Sequence, residues 1–299
     1  MGDAVGVIGL GNMGSAFAAN LRQSGFDVVG YDRDPVRATA LNDLGGRAVE
    51  SAVAVAQAAP VVITSLPSSA ALEAVAADLA GSAARDGVVL EMGTLAIAAK
   101  EAAAERLEGR FTVLDCPVSG TGTQALRGDI AVYASGDRRA YDRSLDVLRG
   151  FSRAQYYVGP FGTGMRIKFI ANLLVTIHNV AAAEAITLAR RAGLDLDTVL
   201  EVIGQGAGTS RMFEVRGPVM AGGTYADSTA NIEIFKKDLG LISEFAADLD
   251  CPVPLLAMSA QLYAAAMGQG RGKQDGAAVA GVLAGLAGLG ADAADGTVR

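Results

Sequence analysis

The chain has no tryptophan, one histidine and two cysteines among 299 residues, and aromatic side chains make up only 5% of it. Each shortage excludes something. Cys116 and Cys251 lie far apart and form neither a metal-binding nor a redox-motif spacing, so the expectation is two buried free thiols in a reducing compartment. The single histidine, His178, has no cluster of metal-ligating residues around it in sequence. It follows Lys168 by ten residues, a turn of about 280° on a helix, so core or interface packing is its expected role. Positive charge is short as well: 25 Lys and Arg stand against 32 Asp and Glu, a net charge of −7. That balance excludes general nucleic-acid binding, which needs a basic surface. No uninterrupted apolar run reaches the roughly 18 residues of a membrane span; the nearest, 276–290, is short and glycine-rich. No basic leader precedes the first strand-like run, so no signal peptide is expected, and the expected location is the cytoplasm. Alanine and glycine are abundant instead, which favours closely packed helices, and the length leaves room for about two domains.

The most informative segment is VGVIGLGNMG at 5–14. It reads as strand, then Gly9-Leu10-Gly11-Asn12-Met13-Gly14, then a helix, a second strand and Asp32. Gly9 permits a tight turn, Gly11 leaves room for a pyrophosphate, and Gly14 lets helix and strand approach. The helix N-terminus offers N–H groups and a positive dipole end to phosphates. Asp32 stands at the spacing of a carboxylate that grips a ribose diol.

Short Val/Ile-rich runs at 4–8, 27–31, 60–66, 87–92 and 111–115 alternate with helical stretches near 14–23, 35–44, 69–80 and 96–108. This alternation predicts an α/β fold whose N-terminal Rossmann-type doubly wound sheet is parallel and covered on both faces. Weaker strands at 130–135 and 154–159, around a helix near 138–149, are expected to extend the same sheet. From Gly164 the pattern changes. Residues 165–193 read as one helix about 40 Å long, followed by helices near 196–204, 231–249, 254–267 and 275–287. The expected division is therefore a cofactor domain at 1–163 and an all-helical C-terminal domain at 164–299, with a hinge at Phe161-Gly162-Thr163-Gly164 and a cleft between the two. Residues 205–213 read as a flexible connection in which Ser210, Arg211 and Phe213 are candidate pocket residues. The last residues, 291–299, read as a frayed tail.

Three further segments carry chemistry. Lys168 and Asn172, four apart on the long helix, share a face; a partly buried Lys becomes usable as a proton donor or acceptor, although a solvated Lys and a helix Asn is the bland alternative. Ser119-Gly120-Thr121-Gly122 follows a strand end and offers a hydroxyl and backbone N–H groups suited to a carboxylate, or is an ordinary turn. Lys236 and Lys237 face different sides of a helix, and a solvated pair is the plain reading.

Taken together and in order, GLGNMG (9–14), DCPVSGTG (115–122), GTGMRIKFIAN (162–172) and KDLGLI (237–242) resemble the β-hydroxyacid dehydrogenase family, of the 3-hydroxyisobutyrate dehydrogenase type with a 6-phosphogluconate dehydrogenase-like C-terminal domain. The resemblance implies that Lys168 is the general acid/base and Asn172 a hydrogen-bond partner of the substrate. It implies that Ser119 and the N–H groups of Gly120 and Thr121 hold the substrate carboxylate, and that Lys237 lies near nicotinamide and substrate. Leu66, Pro67 and Thr94 match the family's later cofactor contacts. Thr121 departs from the Gly-Gly usual in relatives and is expected to narrow the pocket.

Asp32 favours NAD over NADP by repelling a 2′-phosphate, while Arg33 beside it suits that phosphate. The expected function is NAD(P)-dependent hydride transfer to or from a small 3-hydroxy acid by a homodimer or homotetramer, with no metal, nucleic acid or membrane involved. The alternatives are a reductase of small semialdehyde acids, an imine reductase, which Lys168 disfavours, and a non-catalytic cofactor-binding module.

Overall fold

A computed structural model describes residues 4–289; the tail expected at 291–299 lies outside them. The chain forms two compact units, Met1–Lys168 and Phe169–Arg299.

The first unit begins with β1 (Ala4–Ile8), α1 (Asn12–Gln23), β2 (Asp27–Tyr31), α2 (Pro35–Asp43), β3 (Arg47–Ala48), α3 (Ala52–Ala58), β4 (Val61–Thr64), α4 (Ser69–Gly81), β5 (Gly87–Glu91), α5 (Ile97–Leu107) and β6 (Phe111–Asp115). These six strands form one parallel sheet in the order β3-β2-β1-β4-β5-β6. Every residue of β4 and β5 is buried. Adjacent residues point to opposite faces: Val7, Ile63 and Leu90 enter one apolar core, and Ile8, Val62 and Val89 enter the other. Burial on both faces explains why these strands read as unbroken apolar runs. The chain steps from β1 outward to β2 and β3, then returns to β4 on the other side, so the strand order reverses beside β1. The carboxyl ends of parallel strands at such a switch point are where doubly wound sheets bind ligands.

The unit continues with β7 (Val118–Ser119), α6 (Gly122–Ala125), β8 (Ala131–Ala134), α7 (Arg138–Phe151) and β9 (Ala154–Tyr157). Here one expectation is corrected. The strands near 130–135 and 154–159 do not extend the main sheet. They join β7 in a separate three-stranded sheet, with β7 antiparallel to β8 and β8 parallel to β9. Asp115 and Ser135 exchange backbone hydrogen bonds of 3.0 and 2.8 Å where the two sheets meet. An apolar alternation marks a strand but not its neighbour, and so did not show this.

α8 (Thr163–Arg191) starts in the first unit and continues into the second. There follow α9 (Leu196–Gly204), α10 (Arg211–Gly222), α11 (Ile232–Asp248), α12 (Pro254–Gly268), a 3₁₀ turn (Gly276–Ala278) and α13 (Val279–Leu286). The connection expected at 205–213 ends as a helix entry. Ser210 caps α10 by accepting the Phe213 N–H at 3.1 Å, Phe213 is buried, and Arg211 pairs with Glu214. α8 has the length and mean hydropathy (1.5) of a bilayer span, which the uninterrupted-run criterion passes over; 44% of that stretch is buried inside the protein. Cys116 is buried as expected, but Cys251 is exposed, correcting the expectation of two buried thiols.

Candidate active site

The glycine turn after β1 is built from close approaches. Gly9 has φ +89°, and a Cβ there would strike the Ser65 carbonyl oxygen. A Cβ on Gly14 would strike the Gly9 carbonyl oxygen. Gly11 faces open space, where a Cβ would meet only Arg37 Nη1 at 3.5 Å. Gly11 is also the N-cap of α1 and gives it no side-chain hydrogen bond. The first N–H groups of α1, from Asn12 onward, have no partner within the helix, and the dipole end is positive. A pyrophosphate fits this cradle, and Gly9 to Gly14 are the residues that would hold it.

Asp32 follows β2 with its side chain 11% exposed. Its Oδ2 accepts the Leu10 N–H at 2.6 Å, and its Oδ1 accepts the Asp34 N–H at 2.9 Å. A carboxylate has about four lone-pair sites, so capacity remains for a ribose diol. Arg33 is exposed. Arg37, which sequence reasoning did not single out, lies nearer the carboxylate, with Nη1 3.6 Å from Asp32 Oδ2 and Nε 3.5 Å from Asp34 Oδ2. Its place in the first turn of the helix after Asp32 was the available signal. Leu66 and Pro67 follow β4, and Leu66 Cδ2 lies 3.2 Å from where a Gly9 Cβ would stand. Thr94 is in the loop after β5.

Ser119 ends β7, paired with Ala131. Gly120 has φ +143°, and a Cβ would lie 2.5 Å from Ile130 Cγ2, so glycine is required there. Thr121 has a structural task. It caps α6 in a reciprocal pair: its hydroxyl accepts the Gln124 N–H at 3.3 Å, and its own N–H donates to Gln124 Oε1 at 2.9 Å. That N–H is engaged, and Gln124 must turn aside before it can meet a carboxylate.

Lys168, half-buried, is the sixth residue of α8. The start of this helix is held by groups distant in sequence. The Gly164 N–H donates to Ser135 Oγ at 3.0 Å, and the Met165 N–H donates to Asp115 Oδ2 at 2.9 Å. A Cβ on Gly164 would strike the Tyr133 carbonyl oxygen and lie 3.0 Å from Asp115 Oδ2. The glycine four residues before Lys168 is there to let the helix end reach Asp115.

Asp115 belongs to a buried ionic trio that the sequence did not reveal. Lys100 Nζ lies 2.6 Å from Glu91 Oε2 and 2.8 Å from Asp115 Oδ1, with all three side chains at most 1% exposed. Burial pushes the Lys100 amine down, but the two carboxylates outweigh it and hold it above its ordinary value. Burial raises the Glu91 carboxyl, offset only in part by Lys100. Burial, followed by the Asp115 charge, also holds the Cys116 thiol well above the usual thiol range.

In the second unit, Asn172 Nδ2 donates to Asp238 Oδ2 at 2.8 Å, and Lys237 Nζ lies 3.5 Å from Asp238 Oδ1. The structure thus brings Asn172 and Lys237 to one carboxylate, Asp238, which was missed because it looked like one more charge on a helix. Among the described residues, no group of three or more His, Cys, Asp or Glu is arranged to hold a metal ion.

Comparison with known proteins places the chain in a family. Residues 4–159 match the family described as the NAD binding domain of 6-phosphogluconate dehydrogenase, and 162–283 match the NAD-binding region of NADP-dependent 3-hydroxyisobutyrate dehydrogenase. The chain belongs to the β-hydroxyacid dehydrogenase family. It is an NAD(P)-dependent oxidoreductase of small hydroxy acids. An L-threonate dehydrogenase of Cupriavidus necator is 35% identical over 94% of this chain and 96% of its own. A 3-hydroxyisobutyrate dehydrogenase structure from Salmonella typhimurium is 33% identical, with TM-score 0.84 over 94% of this chain and 99% of the other. A Mycobacterium tuberculosis 3-hydroxyisobutyrate dehydrogenase solved with L-serine is 26% identical, with TM-score 0.87 over 95% and 99%.

Proposed function

We propose that this protein oxidises the hydroxyl of a short 3-hydroxy acid, and reduces the matching aldehyde or ketone, with Lys168 as general acid/base. The observation that carries this is the anchoring of α8 by Asp115 and Ser135, which sets Lys168 one turn beyond the carboxyl ends of β6 and β8. The compounds named for the relatives, L-threonate, 3-hydroxyisobutyrate and L-serine, are all carboxylic acids with a hydroxyl on the third carbon.

The Ser119 hydroxyl and the Gly120 N–H hold the substrate carboxylate, joined by the Thr121 N–H when Gln124 moves away. Asn172, oriented by Asp238, donates to or accepts from the substrate hydroxyl. Lys168 removes the hydroxyl proton in oxidation and returns it in reduction, and its ammonium stabilises the developing alkoxide. The nicotinamide, when bound, supplies the hydride acceptor or donor. Gly9, Leu10, Gly11, Asn12, Met13 and Gly14 hold the pyrophosphate, Asp32 holds the ribose diol and gives NAD the preference, and Leu66, Pro67, Thr94 and Lys237 line the rest of the cofactor's path. The domain division of the reading is a cofactor domain at 1–163 and a helical domain at 164–299. The protein acts in the cytoplasm as a homodimer or homotetramer, in keeping with exposed apolar residues on α8 such as Ile170, Leu174 and Leu188.

A panel of 2-hydroxy and 3-hydroxy acids and small semialdehyde acids, run with both cofactors and followed by nicotinamide absorbance, tests this. Lys168→Ala is expected to lower kcat by about 10²–10⁴-fold while cofactor still binds; near-normal turnover overturns the assignment. Activity on cyclic imines but not on hydroxy acids supports the rival reductase reading. Saturable cofactor binding without turnover supports a binding module.

A further inference from the structure

We propose that Lys100 is a positioning residue for Lys168. Held between Glu91 and Asp115, it fixes the Asp115 carboxylate that anchors the first turn of α8, and so sets where the amine at 168 stands. This rests on Lys168 being the acid/base group.

Three buried charges need a reason. Replacing a buried ion pair or triad with apolar side chains is often neutral or stabilising, so stability is a weak explanation for one. Geometry supplies a better one, because each carboxylate oxygen has its own task. Asp115 Oδ1 meets Lys100 Nζ at 2.8 Å. Asp115 Oδ2 accepts the Met165 N–H at 2.9 Å and the Ser135 hydroxyl at 3.0 Å, and that hydroxyl oxygen accepts the Gly164 N–H at 3.0 Å. Glu91 Oε2 meets Lys100 at 2.6 Å, and Oε1 accepts the Gly93 N–H at 2.9 Å, next to Thr94. One ammonium therefore orders two carboxylates, which in turn order the loop after β5 and the entry of α8.

The anchoring of α8 comes from fifty residues away in sequence, so the direction of its first turn depends on this network. Asp115 also lies at the N-terminus of α8, the positive end of the helix dipole, where a carboxylate is favourable. Displacing a reacting group by about 1 Å costs on the order of 10²-fold in rate. The expected signature is a loss in kcat with cofactor and substrate binding retained.

The test uses the full-length protein and four variants: Asp115→Asn, Lys100→Met, Ser135→Ala and, as a destabilising control in the same unit, Val62→Ala. kcat, KM and cofactor Kd are measured well below each variant's Tm, together with amide exchange of the 164–168 turn. Asp115→Asn and Lys100→Met are expected to lower kcat by about 10- to 100-fold with KM and Kd at wild-type values, and to speed exchange in that turn. Ser135→Ala shows a smaller loss of the same kind, and Val62→Ala keeps wild-type kcat. If Lys100→Met does not fold, Asp115→Asn and Ser135→Ala decide. Folded variants with wild-type kcat overturn the inference, as does a loss in Val62→Ala as large as theirs. Lys168→Ala separates the two claims: if it is inactive while Asp115→Asn is fully active, the positioning role alone fails, whereas full activity in Lys168→Ala defeats the acid/base reading itself.

Discussion

Two helices in the first unit begin in the same way and end up with opposite tasks. α1 follows Gly9-Leu10-Gly11, and α8 opens within Gly162-Thr163-Gly164. The start of α1 has no side-chain cap and faces open space at Gly11. The start of α8 is consumed, its Gly164 and Met165 N–H groups given to Ser135 and Asp115. Glycine at a helix entry allows close approach in both places. At α1 the approach is left open; at α8 it is already made to the protein. A dipole end can recruit an anion from solution or from its own chain, and the two uses look alike in sequence.

Gly14→Ala and Gly164→Ala give the sharpest contrast. Gly14→Ala drives a methyl into the Gly9 carbonyl and is expected to weaken NADH binding by at least about 100-fold, or about 2.7 kcal/mol, by titration calorimetry. Gly164→Ala drives a methyl toward the Tyr133 carbonyl and is expected to cost about 3 kcal/mol of stability, leaving NADH affinity unchanged in folded protein. Equal effects of both on cofactor affinity would erase the distinction.

Lys100→Met, which undercuts the α8 anchor, is expected to cost about 3–5 kcal/mol in urea unfolding, the usual result of breaking a buried pair from one side. The pH dependence follows from the raised Lys100 value. A group held above its unfolded value contributes stability fully below about 10.5 and loses it as pH climbs past that point. The stability gap between wild type and Lys100→Met should therefore hold through neutral pH and close only in strong alkali.

On the α1 side, Asp32→Asn removes the charge facing Arg37 and, in the proposed function, the cofactor ribose. It is expected to shift the NADH-to-NADPH preference by about 10-fold toward NADPH, near 1.4 kcal/mol; an unchanged ratio of kcat/KM values would assign the preference elsewhere. The smallest effect concerns thiols. Ellman's reagent should label one thiol per native chain, Cys251, and both after unfolding, because Cys116 is buried and held protonated beside the trio.

The glycine turn was legible because its demands are local: a positive φ at Gly9 and a collision at Gly14 are set by neighbours a few residues away. The main strands were legible because burial on both faces writes continuous apolar runs. α3 was missed because AVAVAQA alternates like a strand, although Ser51 caps it. α10 was missed because glycines precede it and Pro218 lies inside it. Lys100 reads as a solvated charge on α5, and only the neighbours brought to it at β5 and β6 make it buried. Asp238 was passed over beside Lys237 for the same reason.

By itself, then, the order of residues determined the parallel α/β unit, the helical run after it and the tight glycine turn after β1, since each depends on backbone geometry or periodicity within one segment. Only the tertiary structure decided that β8 and β9 form a second sheet, that Thr121 serves as a cap and that a buried lysine joins two strand ends to the start of α8. Charges far apart in sequence carry no mark of which of them will meet, because their energies depend on the dielectric and the partners that folding alone supplies.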